Sequence, residues 1–461
     1  MKKVLVCLAL TAVFYVGATY VLGAQVRDRY FASLQEVGDT GLVNATNVSY
    51  ERGVFSSRAR TQVRVGVPQA GGETAEKWDF VVTHVFRHGP VTMAPQQGIL
   101  SARPGLALAS STIESGPEGE NALLTQFPEL AETTSTIRVH FDGSVAGDFL
   151  VPALDRKVGA ESLGWAGLQG SVDFDPALRH LRARLIMPGL NVRVEDETLS
   201  VQNMTCDMDM SETLPLLYVG EVSVDIASIT AEKPGEQAAG LESLRLVSDS
   251  RIEGALVHSN QTLDIARILA AGQTHGPLRC ELETRNLNAR SLSDFQVRIR
   301  ELYRAERDPD RMAERMGNLY GRLLRDLLTG NPEFRIPRLH LATAMGNATG
   351  SMSVRLDAPG ESALGNPLLL LEHLDATAEA SVHEALVQAL MRGQGAEERP
   401  EIPATGLGGQ DLEALLQQQR TDQINALISR NLLIRDGDTL RARAEFNQGR
   451  LTVNGLELSL F

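Results

Sequence analysis

The chain has 461 residues, with 44 Lys and Arg against 58 Asp and Glu and a net charge of −14. That length buries a sizeable core and exceeds one minimal domain. The acidic balance, without a basic stripe, argues against a nucleic-acid partner and against a broad electrostatic grip on anionic lipid head groups, and 5 % aromatic residues are few for a ring-lined sugar or peptide groove.

Lys2 and Lys3 precede an uncharged apolar run over residues 4–23. As a helix rising ~1.5 Å per residue, such a run spans a ~30 Å hydrocarbon core. A cleavable leader has a shorter apolar region ending at small residues. Leu22-Gly23-Ala24 puts a large residue where a small one is preferred, and Cys7 lies inside the run, in the wrong context for lipid modification. Residues 1–24 therefore read as an uncleaved signal anchor, a transmembrane helix with its lysines in the cytoplasm and the remaining chain exported. Tyr15 and Tyr20 read equally well as interfacial or as ordinary wall residues.

Residues 25–36 read as a short polar helix or stalk. A strand follows with Val48, Tyr50 and Val54 as inward candidates, interrupted by a bulge or turn at Gly53. Residues 55–67 alternate, with Val63, Val65 and Val67 on one face and Arg60, Gln62 and Arg64 on the other. A turn over 69–77 leads into a strand over 78–87 that puts Phe80, Val82, His84, Phe86 and His88 on one face. Residues 137–290 hold short alternating runs, among them Leu181-Ala183-Leu185, Val192-Val194, Val222-Val224-Ile226 and Leu278-Cys280-Leu282, separated by polar turns. This is the pattern of an antiparallel meander, sandwich or open barrel. No strict repeat aligns.

Asp308 and Pro309 open an amphipathic helix with a cap and a proline at its first position. Its stripe is Met312, Met316, Leu319, Tyr320, Leu323 and Leu327, and Gly330 and Pro332 stop it. A hairpin over 334–357 turns near Gly346 and Asn347. Residues 369–391 open as a strand and continue as a helix from about Ser381; 393–409 read as a linker. A second amphipathic helix over 411–431 has Leu412, Leu416, Ile424, Leu427 and Ile428 as its stripe. The chain closes in a hairpin that turns at Asn447-Gln448-Gly449, with residues 451–461 as its last strand. The expected fold is mainly β with a minor α component: a curled antiparallel sheet, open barrel or sandwich. The expected division is 1–24 anchor, 25–130 N-terminal α/β part, 131–290 strand-rich middle and 291–461 C-terminal helix and hairpin part.

No catalytic motif is complete. Arg87-His88-Gly89 opens the histidine phosphatase signature, whose second arginine and proline are replaced here by Val91 and Met93; the phosphate clamp is broken. His84 and His88 have the spacing of a zinc-protease helix, but Val85 stands where that pattern needs Glu. On a strand they share a face and could hold a metal only with a third ligand from a neighbour, which is the one hydrolase reading the residues offer. Ser56 and Ser57 lack the nucleophile-elbow context. No phosphate-cradling loop is present, and no cofactor or enzymatic activity is expected. Cys206 and Cys280 both fall in predicted strands of the exported part, where disulfides persist. If those strands are neighbours, a bridge closes a loop of about 75 residues and contributes ~4 kcal/mol in the chain-entropy model; two buried free thiols are the alternative.

Taken together, the anchor, Tyr50-Glu51-Arg52-Gly53-Val54-Phe55-Ser56-Ser57, His88-Gly89-Pro90, the hairpin through Gly346 to Leu356 and Val453-Asn454-Gly455 resemble the YdgA-like family of bacterial inner-membrane proteins. Order and spacing fit over essentially the whole chain, with a divergent middle. The resemblance implies a single-pass inner-membrane protein with its bulk in the periplasm and no assigned catalytic residues. It extends more loosely to the AsmA-like group, whose curled sheets have grooves implicated in handling envelope lipids. The quoted motif residues read as fold determinants, with Gly53 taking a backbone conformation other residues resist and Phe55 as a core anchor. The functional expectation is a binding or scaffolding protein of the envelope that holds a lipid or hydrophobic ligand, or a partner protein's strand, in a β-groove. A homo-oligomer joined through sheet edges or the amphipathic helices is the alternative, with the metal-dependent hydrolase behind it.

Overall fold

A computed structural model describes residues 2–37, 43–66, 77–96, 99–115, 123–270, 272–305, 308–328, 330–357, 367–397 and 409–458. The chain is mainly β, its sheet structure open and antiparallel, and no barrel closes among the described residues. It packs as two compact units, residues 1–222 with 293–321 and residues 223–292 with 322–461.

The N-terminal unit begins with one helix, α1 (Lys2–Val37). Then come β1 (Val43–Arg52), β2 (Ser56–Gly66), β3 (Lys77–His88), β4 (Val91–Gln96), β5 (Ile99–Pro104), β6 (Ala107–Ser115) and the short α2 (Leu123–Gln126). They are followed by β7 (Thr134–Val139), β8 (Val145–Val151), β9 (Leu154–Val158), β10 (Glu161–Trp165), β11 (Leu168–Phe174), β12 (His180–Val194) and β13 (Glu197–Leu214). The ladder runs β1-β2-β3-β6-β7-β8-β11-β12-β13, with β9–β10 joined to β12 through β10 and β4–β5 forming a separate ribbon. β14 (Leu217–Glu232) contains the division between the units.

The alternation expected on β2 and β3 is present. Ser57, Ala59, Thr61 and Val63 lie opposite Phe86, His84, Val82 and Phe80, and this face meets α1 through Tyr30. The other face of β3 buries Val81 and Thr83 where α2, with its buried Leu124, packs on β3 and β6. The core of this unit is therefore concentrated on β2, β3 and β6, between two helices.

Three inward assignments near the first hairpin fail. Val48 is the bulged residue between Asn47 and Ser49, which turns it out to 51 % exposure. Val54 and Phe55 occupy the hairpin tip, beyond the ladder, and both are exposed. The short runs of the middle also merge. Leu181-Ala183-Leu185 and Val192-Val194 belong to one strand, β12, that passes straight through Pro188-Gly189. β11 pairs with β12 only through Ile186, and β10 only from Leu190. On the other side the β12–β13 register skips only Pro188, between Met187–Met204 and Gly189–Gln202, so the missing N–H leaves one gap in an otherwise continuous ladder.

In the C-terminal unit the ladder runs through β15 (Ala239–Glu253), β16 (Leu256–Ala270), β18 (Leu278–Asn288), β19 (Glu333–Thr343), β20 (Gly346–Leu356), β21 (Leu374–His383), β23 (Thr439–Asn447), β24 (Arg450–Val453) and β25 (Leu456–Leu458). Short β17 (Gln273–His275) and β22 (Ile434–Asp436) flank β16 and β23. The Glu384–Glu397 helix packs on β20 and β21, burying Leu386. The Gly409–Ser429 helix buries Ile424 to 1 %, but Leu416 and Leu427 of its expected stripe are exposed, and the Leu412 side chain lies outside the described residues. The closing strand is broken: Asn454 and Gly455, both at positive φ, turn β24 into β25, the usual chemistry of a two-residue hairpin loop. Residues 459–461 lie outside the described residues, as do most of the expected turn over 69–77 and residues 398–408 of the expected linker.

α3 (Ala289–Ala305) and α4 (Pro309–Leu328) carry the returning segment, residues 293–321, of the first unit. Asp308 caps α4 as expected, accepting from the Arg311 N–H at 3.3 Å. α3 is an addition, opened by Asn288, whose side chain accepts from the Ser291 N–H at 3.0 Å.

Among the residues whose side chains are described, which in α1 begin at Tyr15, no helix is long and apolar enough to cross a membrane. The apolar run at 4–23 lies within α1, and side chains are described there from Tyr15 onward. From that point α1 belongs to the fold: Thr19, Gly23 and Tyr30 are buried. A chain beginning at residue 25 should therefore lose roughly 2 kcal/mol or more of local stability, so that the amides of β2 and β3 exchange about thirtyfold faster than in the full chain. Unchanged exchange in these strands, read by hydrogen–deuterium mass spectrometry, would rule out a structural role for residues 15–24.

Candidate functional site

The motif residues singled out from sequence converge on α1. The hairpin tip closes with the Gly53 N–H donating to the Ser56 carbonyl at 2.8 Å, and the Phe55 carbonyl accepts from the His88 N–H at 2.9 Å. Gly53 is required for space rather than for unusual backbone: a Cβ there would sit 2.7 Å from the Ser56 oxygen. The Tyr50 ring packs, tilted, against Tyr30 and Phe31 with centroids 5.5 and 5.7 Å away. The Arg52 guanidinium lies 4.0 Å from the Tyr20 ring centroid and donates to the Tyr20 carbonyl. Phe55 stacks on Tyr15 with centroids 6.4 Å apart, so it anchors the helix and not the core. The buried His88 ring fills the space beside Gly23, where a Cβ would approach its Nδ1 to 2.6 Å. Gly89, at φ +140°, lets the turn pass Thr19 and Tyr15; a Cβ there would be 3.0 Å from the Thr19 methyl, and L side chains resist that φ as well. The Pro90 carbonyl accepts from Gly105. Ser56 points to solvent and Ser57 is buried.

Behind the motif, a hydrogen-bonded chain crosses the core. Tyr30 donates to the Asn47 side chain at 3.1 Å and shares a 2.8 Å contact with the Thr61 hydroxyl. His84 Nε2 lies 3.1 Å from the same hydroxyl, and its Nδ1 lies 2.7 Å from the Ser111 hydroxyl. With Tyr30 donating to Asn47, Thr61 donates to Tyr30, His84 donates from Nε2 and accepts Ser111 at Nδ1. A neutral imidazole satisfies every link. Burial pushes His84 below its ordinary value. It does the same for His88, reinforced by the nearby Arg52 charge and opposed by the Val54 carbonyl. Both histidines lie on one face of β3, as expected, but the His84 ring nitrogens are occupied by hydroxyls, and no group of three metal-ligating side chains gathers among the described residues.

Next to this network, between α1 and β3, β6, β7 and β8, lies a cavity of about 390 Å³. Leu22, Val26, Phe86, Leu106, Ala109, Ile137, Val139 and Val145 line it, with Gln25 and Arg29 as its polar members. The same sheet face continues beyond α1. Register places Val145, Phe174, Leu181 and Met210 in line across β8, β11, β12 and β13, and beside them Gly170, Leu185 and Cys206. Further along, a second hollow of about 450 Å³ is bounded by Leu163, Trp165, Leu168, Leu185, Met187, Leu190 and Met204. The opposite face carries ion pairs, Arg182 with Asp209 at 3.1 Å and Arg184 with Asp207 at 3.7 Å. One face of this sheet is thus apolar and only half-buried, the other charged.

Cys206 is buried and Cys280 half-buried, both as free thiols. Their cross-strand partners are leucines, Leu185 for Cys206 and Leu263 and Leu339 for Cys280, so the condition for the bridge, neighbouring strands, is not met. Sequence reasoning missed Thr19, Gly23 and Tyr30 because they sat in segments read as anchor and stalk. It missed the hollow because Met187 and Met204 lie outside the alternating runs, Met187 beside Pro188-Gly189 and Met204 in the stretch between Val194 and Val222. Tyr30 had a visible signal: with Phe31 it makes an aromatic pair directly after the charged stretch Arg27-Asp28-Arg29.

The two depressed imidazoles make a pH test. The unfolded chain takes up protons near the ordinary histidine value of about 6.5, and the buried rings do so only at lower pH. Stability is therefore full above about 6.5 and falls as pH drops below it. The denaturation midpoint of the full chain should fall between about pH 8 and about pH 5.5, and the double variant His84→Gln, His88→Gln should lose much of that dependence. An identical slope in wild type and variant would exclude these rings as its source.

No curated protein matches the chain. The family model for the bacterial proteins of unknown function grouped as DUF945 matches residues 1–461, and the chain belongs to that family.

Proposed function

We propose that this chain is a membrane-anchored envelope protein that holds a hydrophobic ligand against the apolar face of its N-terminal unit. The observation that carries this reading is that face itself: an apolar surface with two hollows, of about 390 and 450 Å³, within the size range of small-molecule pockets. Around the open hollow the unbranched side chains of Met187 and Met204 adapt to ligands of varied shape. An apolar surface left half-exposed on an otherwise charged sheet calls for an occupant.

The anchor reading is supported by Lys2, Lys3 and the uncharged run that follows; with the YdgA-like and AsmA-like resemblances it gives a single-pass inner-membrane protein with its bulk in the periplasm. The role in this reading is binding or scaffolding: the two His84 ring nitrogens are taken up by core hydroxyls that tie the sheet to α1.

Native mass spectrometry of the full chain released from detergent tests this. The expected spectrum shows a lipid-sized adduct whose abundance falls about tenfold in the double variant Met187→Asp, Met204→Asp, since a loss of ~1.4 kcal/mol of contact is tenfold in affinity. Leu246→Asp, in the other unit, should leave the adduct unchanged. A clean ligand-free mass for the wild-type chain would refute the reading.

A further inference from the structure

The outward side of α1 changes character along its length. Val16, Tyr20 and Val21 are exposed, Tyr20 and Val21 by more than half. From Gln25 to Arg29 the exposed positions become Gln25, Arg27, Asp28 and Arg29. The next exposed ring, Phe31, is held against Tyr30 and Tyr50. A helix side facing water throughout would be polar throughout; here the change falls between Val21 and Gln25.

The sheet edge beside α1 shows the same apolar character on the same side of that boundary. The tip of the β1–β2 hairpin exposes Val54 and Phe55, and the exit of β3 exposes Val91. These two turns are tied to each other by the His88–Phe55 backbone bond and to α1 by the Phe55–Tyr15 stack. Three separate chain segments thus present large exposed apolar side chains at one level, that of Tyr15 to Val21. Along the helix axis Tyr15 lies about 9 Å beyond Val21, within the ~5–10 Å by which interfacial elements enter the head-group and acyl boundary. Arg52, stacked on Tyr20, stands nearer the polar boundary. An arginine with a tyrosine is the pairing that suits that depth, with an apolar stem and a charged head.

We propose that Val54, Phe55 and Val91, with Val16, Tyr20 and Val21 of α1, form a collar that inserts into the leaflet from which α1 emerges, so that the edge of the sheet sits in the bilayer interface and not above it. The occupant of this surface is the acyl region of that leaflet. Continuity argues for it: the apolar run 4–14 leads without a break into Tyr15, and from Val4 through Val21 a helix rises about 27 Å, close to the ~30 Å hydrocarbon thickness. The anchored reading puts residues 15–21 in lipid, and the structure clasps those same residues with the hairpin tip. Both hold together when the tip enters the lipid with the helix. The collar rests on the anchor reading and adds to it a depth and a second point of insertion.

The test uses the full chain with Cys7→Ser, Cys206→Ser and Cys280→Ser, reconstituted in vesicles of phosphatidylethanolamine and phosphatidylglycerol. Single cysteines are introduced as Val54→Cys, Phe55→Cys and Val91→Cys, all at exposed sites, with Arg435→Cys as a control far along the chain, and each is labelled with bimane. The expected result is flotation with the vesicles, several-fold stronger quenching of the three collar labels than of the control by doxyl groups on the lipid chains, and several-fold weaker quenching by aqueous iodide. Flotation with collar labels as open to iodide as the control would overturn the collar and leave the anchor standing. Failure to float would overturn both.

Discussion

The contact between α1 and the inner face of β1, β2 and β3 sets what the rest of the N-terminal unit can be. A single antiparallel sheet with one apolar face needs a cover, and here the cover is the segment that the sequence marks as a membrane anchor. The contact is both apolar and polar. Tyr30 inserts among Tyr50, His84 and Phe86 and at the same time closes a hydrogen-bonded chain from Asn47 to Ser111. Such a chain specifies one helix position, because any slide of α1 leaves several buried groups without partners at once. Gly23 against His88 and Gly89 against Thr19 allow the close approach this position demands.

Elsewhere the sheets are held in register by charge as well as by apolar pattern. Arg182 lies directly opposite Asp209, Arg184 opposite Asp207, Arg279 opposite Asp264, Arg355 opposite Asp375 and Arg443 opposite Glu379, and each pair forms an ion pair. Individually such exposed pairs contribute little, because water and salt screen them. Together they penalise slippage, because a shift of one residue would turn these charges onto the apolar face. This is where much of the chain's charge goes, and it explains why charge abundance marks no functional surface.

The fold was legible where local pattern and tertiary environment agree. Val63 and Val65 alternate with Gln62 and Arg64 in the expected way because β2 has one covered face, and Asp308-Pro309 start α4 because capping is local chemistry. The failures share the opposite cause. α3 was hidden because Phe295, Val297 and Ile299 alternate like a strand, while its cap, Asn288, sits at the end of a true strand. The runs at 181–185 and 192–194 read as separate because Pro188-Gly189 lies between them, and sequence cannot show that pairing with β13 resumes directly after Pro188. Phe55 read as core because hydrophobicity does not distinguish burial in protein from a stack on a helix. The candidate site was legible as a set of residues and not as an arrangement: Tyr50, Arg52, Gly53, Phe55, His88 and Gly89 were marked together, but what joins them is α1, whose packed residues looked like a tether.

The order in which these contacts can form follows from their spacing along the chain. The links around Tyr30 and His84 join residues 17 to 31 positions apart, short loops whose closure costs little entropy. The N-terminal unit is nevertheless completed by residues 293–321, where Ser293 donates to the Pro215 carbonyl at 2.7 Å across 78 positions. During synthesis the helix-covered nucleus can close as soon as β6 has been made, while the far end of the same unit must wait until the first strands of the second unit have been translated. The early-forming part is the part next to the proposed anchor, and the late-forming part is the part that the interleaved chain path ties to its neighbour's synthesis.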